Sequence, residues 1–372
     1  MHPSMTVDTE PGTPVPGESA LCGDARRAID MAIAGEVKNG LQLAVLTRTK
    51  ARERKDATAE LMALNAAARC HNIRNDAIAT FTAGMDAVEL ALHIGDRRGL
   101  AHALCTIAYT TIDLQLAEHT TSLAECAVAD AKALQDPELE FRARQVFGVM
   151  LGDLNRFDEA RQQFEWARQA TAAMSNSSSF GYRIEWNLAL LNRKEAAYCH
   201  ARGALVEMQA ACERVMKHSA AALARAGATR SATLEVGLAL ARGGVQALRG
   251  DLPTAIGETE AAISLAARGK LLGPIPAASL RLAEFHRAAG QLQKVSAVLS
   301  EGLRIAQSLR PNAHVGALCD ALAEAARVDG NALEARRWER SAEEERSTFR
   351  KEQDMARDYL WKLRAQVIPG AA

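Results

Sequence analysis

The feature that most constrains the fold of this chain is an internal repeat of forty residues. The repeat occurs in two series, and in each a small residue is followed seven positions later by a turn-forming residue. The pairs are Ala68/Asn75, Ala108/Gln115 and Gly148/Asn155 in the first series, and Gly243/Gly250, Ala283/Gly290 and Ala323/Gly330 in the second. A unit of this length is typical of a helix pair, whose apolar faces only neighbouring pairs can cover. The spacing therefore predicts an array of stacked helix pairs.

The two series differ in register by fifteen residues, and the shift falls between Asn155 and Gly250. Fifteen residues correspond to about four helical turns. We therefore expect one repeat, at about 181–235, to contain lengthened helices. Eight helix pairs are expected, with starts near residues 21, 61, 101, 141, 181, 236, 276 and 316.

Composition favours helices and argues against several classes of partner. Apolar residues make up 48% of the chain but aromatic residues only 4%, because alanine supplies much of the apolar share. Small side chains of this kind favour helix over strand. The 45 basic residues equal the 45 acidic residues, whereas general binders of nucleic acid or anionic membranes usually carry a basic excess. We therefore expect neither a nucleic acid nor a membrane as partner.

Two further features predict a cytoplasmic protein. No stretch of the chain approaches the roughly 18 uncharged apolar residues that a membrane-spanning helix needs. The seven cysteines are odd in number and scattered, and several lie in apolar helical segments. This pattern suits reduced thiols in a helical core better than a disulfide framework.

Residues 141–174 carry the clearest motif. Phe147-Gly148 is followed by the turn segment Asn155-Arg156-Phe157-Asp158-Glu159-Ala160, and then by Phe164 and Ala167. This pattern resembles the tetratricopeptide repeat (TPR), in which small residues lie where two helices cross. A HEAT-type solenoid is the nearest alternative, since its units are also about forty residues long. The turn segment and Phe164 favour the TPR.

The long repeats are similar to the TPR regions of bacterial signalling regulators such as GGDEF diguanylate cyclases and MalT-type activators. The resemblance implies an all-α fold, a right-handed α-solenoid of TPR-like helix pairs with a long C-terminal helix. No catalytic or DNA-binding output region follows the repeats within these 372 residues. The output is therefore expected to be a partner protein.

The sequence predicts four segments. Residues 1–19 form a proline-containing leader that is expected to be disordered, 20–332 a TPR-like superhelix, 333–368 a long helix, and 369–372 a tail. The long helix either caps the last repeat or contacts a partner, including a second copy of the chain. The candidate seam for a homodimer or partner contact has the spacing of a coiled coil, and its residues are Leu360, Leu363 and Val367.

The resemblance also implies where a ligand binds, because first-helix side chains line the concave groove of a TPR array. In the best-matching repeat these positions hold Arg142 and Gln145. The last two repeats place alternating charges there, which are Glu284, Arg287, Glu324 and Arg327. The alternative for these charges is that neighbouring repeats pair them with each other.

The lengthened repeat adds polar candidates next to a rare aromatic residue. Asn187 could bond a peptide backbone through both its donor and its acceptor groups, and Arg183 and Arg193 could bind carboxylates. For Trp186, simple packing between helices is the favoured interpretation.

No motif for catalysis, nucleotide binding or metal binding is present in the sequence. The adjacent pairs Cys70-His71 and Cys199-His200 would point about 100° apart on a helix, so neither pair easily shares one ion. We therefore expect no catalytic residue, no cofactor and no metal. The sequence favours a non-catalytic TPR scaffold that binds a protein or peptide in bacterial signalling or regulation. The alternative is a sensor in which a small molecule or peptide controls a partner enzyme or regulator through the C-terminal helix.

Overall fold

The computed structural model describes residues 19–33, 36–74, 76–172, 174, 177–227, 230–309 and 312–368. The expected leader, apart from Ser19, and the expected tail 369–372 lie outside the described residues. The predicted turn residue Asn75 also lies outside them.

Within the described residues the chain forms sixteen α-helices, one short 3-10 helix (Ala117–His119) and no strand. The helices are α1 (Ala20–Ile33), α2 (Val37–Glu53), α3 (Ala57–Ile73), α4 (Ala77–Ile94), α5 (Arg97–Asp113), α6 (Thr121–Ala133), α7 (Pro137–Asp153), α8 (Phe157–Thr171), α9 (Ser177–Ala201), α10 (Leu205–Ala226), α11 (Ala232–Leu248), α12 (Leu252–Arg268), α13 (Ile275–Ala288), α14 (Leu292–Ser308), α15 (His314–Val328) and α16 (Ala332–Val367). They follow one another as eight pairs, each of which begins within four residues of its expected position. The predicted all-α architecture is confirmed.

Residues in the left-handed backbone region end the helices at a regular interval. The predicted turn positions that the structure describes have positive φ, with 56° at Gln115, 58° at Asn155, 85° at Gly250, 72° at Gly290 and 75° at Gly330. Four of the turns that join one helix pair to the next also contain a residue with positive φ. These residues are Lys55, Gly95, Gln135 and Lys270, and each lies twenty residues from a turn position within a pair. An aspartate often follows and caps the next helix, as Asp96 does by accepting from the backbone N–H of Gly99.

Small residues lie where the two helices of a pair cross. A Cβ on Gly148 would lie 2.8 Å from Cε1 of Phe164, so this glycine makes room for the aromatic residue of its own repeat. Gly243 is similarly close to Thr259 in α12, with 2.8 Å from its Cβ position to the hydroxyl oxygen. These contacts explain the period of small residues in the sequence.

Replacing Gly40 with alanine should destabilise the protein by about 2 kcal/mol, because the new methyl group overpacks a helix crossing. The Cβ would lie 2.4 Å from the backbone oxygen of Ala28 in α1, and backbone moves less easily than a side chain. Thermal unfolding measures the effect. Gly23→Ala in α1 is the matched control, since nothing lies within 4 Å of its Cβ position. That control should raise stability by about 0.5–1 kcal/mol, as expected for glycine in an exposed helix. Equal effects of the two substitutions would contradict the close crossing.

Contacts divide the chain into two compact units. Among the described residues, we call 148–351 the central unit, and 19–147 together with 352–368 the terminal unit. The last part of α16 therefore packs on the first repeats. Within the terminal unit, Gln353 donates from Nε2 to the backbone oxygen of Leu114 at 2.9 Å. The rings of Tyr359 and Phe81 are 6.1 Å apart, centre to centre.

The proposed coiled-coil seam lies largely inside this contact. Leu363 is fully buried and Leu360 is 2% exposed, while Val367 is half-buried. A dimer through Leu360 and Leu363 would require this segment to leave its own repeats. The structure therefore places these two leucines in the unit formed by the chain's own first repeats, which is neither the predicted cap on the last repeat nor an exposed dimer seam.

The lengthened repeat contains the longest helices apart from α16, with 25 residues in α9 and 22 in α10. Two carboxylates of α9 join it to both neighbours. Glu195 accepts from Arg161 of α8 at 2.9 Å and from Arg214 of α10 at 2.7 Å. Glu185 lies between Arg168 of α8 and the side chains of His218 and Arg225 on α10. Trp186 is buried against α11, where a Cβ on Gly237 would lie 2.6 Å from its indole nitrogen. Trp186 therefore packs between helices, as the sequence analysis favoured.

One helix among the described residues, α4, is long and apolar enough to cross a membrane by length and composition. It carries Asp86, which forms an ion pair with Arg48 at 2.8 Å. Its residues Phe81 and Val88 are buried among neighbouring helices. These contacts are those of a core helix in a repeat array.

Candidate functional site

A recess in the terminal unit is lined by helices α3, α5 and α7, the first helices of three successive pairs. Its lining residues are Arg69, Asn72, Cys105, Thr106, Tyr109, Arg142, Gln145 and Val146. We call it the α5 recess. It opens to solvent. Two of the predicted binding residues, Arg142 and Gln145, thus lie in one site.

Arg142 is held in place by two uncharged partners on α5. Its Nη1 lies 2.9 Å from Nδ1 of His102, and its Nη2 donates to the hydroxyl of Thr106 at 3.0 Å. Because a guanidinium only donates, Nδ1 of His102 accepts and the ring carries its proton on Nε2. Burial lowers the pKa of His102 well below its usual value, and the charges of Arg142, Arg98 and Arg69 lower it further. The histidine is therefore neutral at physiological pH.

The recess combines a half-buried positive charge with a buried, unsatisfied donor. Burial lowers the pKa of the Arg142 guanidinium, whose hydrogen bonds within the described residues go to neutral groups, so its charge is not neutralised by them. Gln145 is 2% exposed, and its Nε2 makes no hydrogen bond within the part of the chain that the structure describes. A buried donor normally has a partner, and a guanidinium binds oxygen acceptors, so the recess is suited to an oxygen-rich ligand.

The predicted residues of the lengthened repeat lie in the central unit and do not form one open site. Arg183 is 4% exposed, stacks over the rings of Phe180 and Tyr182 at 5.7 Å, and donates to the Tyr182 hydroxyl at 3.3 Å. Asn187 is 2% exposed, and neither atom of its amide is bonded within the described residues. Arg193 lies further along α9 and is half-buried, and burial lowers the pKa of its guanidinium.

Three of the four charges in the last two repeats pair with neighbours. Arg287 and Glu324 lie 3.5 Å apart and join α13 to α15. Arg327 forms an ion pair with Glu339 of α16. Glu284 is exposed. Arg287 and Glu324 thus have the pairing between neighbouring repeats that was the alternative to a ligand-binding ladder, whereas Arg327 pairs within its own repeat.

The cysteines are free thiols, as the sequence predicted. Burial raises the pKa of Cys70 and of Cys105 to about 11, so both remain protonated thiols at neutral pH. Cys105 therefore contributes an apolar wall to the α5 recess rather than a nucleophile. No group of three or more His, Cys, Asp or Glu residues among those the structure describes is arranged to hold a metal ion.

Sequence reasoning missed His102 and Thr106, which position Arg142. The signal was present, because His102 lies forty residues before Arg142 and therefore occupies the same position of the preceding repeat. Equivalent positions of adjacent repeats lie side by side in a stacked array.

No protein-family model matches the chain, and no curated protein matches it. Among solved structures, it is similar to a Rap protein complexed with Competence and Sporulation Factor, at 13% identity and a TM-score of 0.56, over 92% of this chain and 90% of that one. It is also similar to the apo form of the quorum sensor NprR from B. thuringiensis, at 11% identity and a TM-score of 0.54, over 88% and 89% of the two chains. At this level of identity the likeness concerns the fold. The chain has the TPR-like helical-repeat fold, as its forty-residue period predicted.

Proposed function

We propose that this chain is a non-catalytic scaffold that binds a peptide, or an extended segment of a partner protein, at the α5 recess. The observation that carries the proposal is the combination of N–H donors, of which Gln145 Nε2 is unsatisfied within the described residues, with apolar walls across three repeats. Arg142 and Gln145 offer N–H groups, while Tyr109 and Val146 offer apolar surface. A peptide matches both features, because its carbonyl and carboxylate oxygens accept hydrogen bonds from the N–H groups and its side chains pack against the apolar surface.

The solved structures support a role in signalling. One similar protein was crystallised with a factor named for competence and sporulation, and the other is named as a quorum sensor. A regulatory role in the bacterial cytoplasm is part of this proposal.

Filling the recess should weaken peptide binding at least tenfold. Asn72 is half-buried at the recess, so Asn72→Trp adds bulk there without replacing a core residue. Pooled random-sequence peptides would be selected on the immobilised full chain, and affinities of the selected peptides measured by fluorescence anisotropy. Asn39→Trp, on the exposed face of α2, is the matched control. Equal affinities for both variants would place the binding site elsewhere, and the absence of any selected peptide would contradict peptide binding.

The second candidate function is the sensor, and one observation favours it. Helix α5 contributes Thr106 and Tyr109 to the recess, and Leu114 at its C-terminal end accepts the hydrogen bond from Gln353. A ligand that moves α5 would therefore act on the last part of α16, which could transmit the change to a partner enzyme or regulator. Under this function, a selected peptide should change amide hydrogen exchange of residues 352–368. If the amide hydrogen exchange of these residues stays unchanged when the peptide saturates the chain, the sensor function is contradicted and only the scaffold function remains.

A further inference from the structure

The walls of the α5 recess include two arginines and no carboxylate. Arg69 of α3 and Arg142 of α7 line it, and no Asp or Glu belongs to the described residues that line it. Glu138 lies one turn before Arg142 on α7, but it forms no ion pair with this arginine among the described residues. Arg142 thus brings to the recess a positive charge that no carboxylate in the described part of the chain bonds.

The hydrogen bond from Arg142 to His102 fixes both the direction of the guanidinium and the charge beside it. Nη1 of Arg142 lies 2.9 Å from Nδ1 of His102. Because a guanidinium has no acceptor, Nδ1 is the unprotonated nitrogen and the imidazole ring is uncharged. Thr106, one turn further along α5, accepts from Nη2 of Arg142 at 3.0 Å. Two uncharged acceptors therefore hold the guanidinium and leave its charge to a ligand.

A carboxylate at the place of His102 would have the opposite effect on Arg142. His102 lies on the first helix of the pair that precedes the pair of Arg142, and the last two repeats contain an ion pair between two such first helices. There, Glu324 of α15 lies 3.5 Å from Arg287 of α13 and neutralises it. The imidazole of His102 gives Arg142 an acceptor without neutralising the guanidinium.

We propose that the α5 recess selects ligands that present a carboxylate to Arg142, and that His102 sets this selectivity as a positioning residue. The inference rests on the proposed peptide binding and adds the chemical group that the peptide carries. A guanidinium forms charge-assisted, often bidentate hydrogen bonds with a carboxylate, and these are stronger than hydrogen bonds between neutral groups. Gln145, whose buried Nε2 has no partner among the described residues, supplies a further donor one turn along α7. The carboxylate belongs either to the C-terminus of the peptide or to an Asp or Glu side chain.

The first arm of the test changes the ligand and leaves the protein intact. Short random-sequence peptides are selected on the immobilised full chain, and those that bind the wild type more tightly than Asn72→Trp are made again in two neutralised forms. One form carries a C-terminal amide, and the other has Asn or Gln in place of each Asp or Glu. Fluorescence anisotropy should show that at least one neutralised form binds the wild type about tenfold more weakly than the selected peptide. The form that loses affinity identifies the source of the carboxylate.

The second arm changes the charge at position 102 with two matched variants. His102→Asn and His102→Asp each place an oxygen acceptor beside Arg142, and they differ only in charge. We expect His102→Asn to keep the preference of the wild type for the charged peptide. The carboxylate introduced by His102→Asp should pair with Arg142 and weaken binding of the charged peptide about tenfold, while the affinity for the neutralised peptide stays within about threefold. Arg142→Gln should remove the difference in affinity between the two peptides.

The outcomes separate this inference from the proposed peptide binding. Equal wild-type affinities for the selected peptides and both neutralised forms would overturn the inference, while peptide binding at the recess would stand. Peptides that bind the wild type and Asn72→Trp equally would contradict the proposed function and the inference with it. Equal losses for charged and neutralised peptides in both His102 variants would show a purely structural role and would overturn the assignment of His102. The first arm uses the wild type, so it decides the selectivity even where a variant fails to fold.

Discussion

Replacing Leu363 with alanine should destabilise the terminal unit by about 3 kcal/mol, the usual effect of a large cavity in a core. Leu363 is fully buried in the part of α16 that belongs to the terminal unit, one turn after Leu360, which is 2% exposed. The removed side chain would leave a space that two packed elements cannot easily close. Urea unfolding of the full chain, followed by circular dichroism, measures the loss.

The matched control is Leu333→Ala at the start of α16. Leu333 is 77% exposed, so its truncation should change stability by less than about 0.5 kcal/mol. Protein concentration separates packing on the chain's own first repeats from the dimer that the sequence also allowed. If Leu363 packs within its own chain, the loss of stability caused by Leu363→Ala is the same at low and high protein concentration. If the stability of the wild type rises with protein concentration and Leu363→Ala abolishes that rise, a dimer seam is favoured instead.

Replacing Glu185 with glutamine should destabilise the central unit by about 3 kcal/mol at pH 7, as expected when a buried charge network loses one partner. Glu185 is 5% exposed, accepts from Nδ1 of His218 at 2.7 Å, and lies 3.3 Å from Arg168. Glutamine keeps the size of the side chain but removes the charge that joins α8, α9 and α10. Chemical unfolding at several pH values measures the effect.

The matched control removes an exposed carboxylate that contacts the same arginine. Glu165 lies 3.3 Å from Arg168 but is 52% exposed, so Glu165→Gln should lower the free energy of unfolding by less than about 0.5 kcal/mol.

The stabilisation by Glu185 should depend on pH in a definite direction. The hydrogen bond from His218 lowers the pKa of Glu185 below its usual 4.5, with the charge of Arg168 contributing. The stabilisation is therefore fully present above pH 4.5 and is lost as pH falls through the lower, folded-state pKa. A difference between wild type and Glu185→Gln that stays constant from pH 7 to pH 3 would contradict this account.

Parts of the candidate sites could be read from the sequence because they depend on repeat position. Arg142 and Gln145 occupy first-helix positions, and the structure places both in the α5 recess. Arg287 and Glu324 occupy first-helix positions too, yet they bond each other. Position in the repeat specifies the face of a helix, whereas the partner of a charge depends on the length and direction of side chains on another helix.

The C-terminal helix illustrates the same distinction over a longer range. The spacing of Leu360 and Leu363 specifies an apolar stripe, and a stripe can be covered by any apolar surface. In the structure the surface is the chain's own first repeats, through a contact such as Gln353 with Leu114, 239 residues away in sequence. Nothing in the local pattern distinguishes that surface from a second copy of the chain.

By itself, the sequence determined the forty-residue period, the helix pairs, the turns and the crossings. Each of these is local, since a left-handed turn residue such as Asn155 and a small residue such as Gly148 act within one repeat. Only the tertiary structure decided which polar side chains remain unsatisfied and which pair. Whether Arg142 bonds to neutral groups, or Arg287 pairs with Glu324, depends on side chains from other repeats, which a linear pattern does not contain.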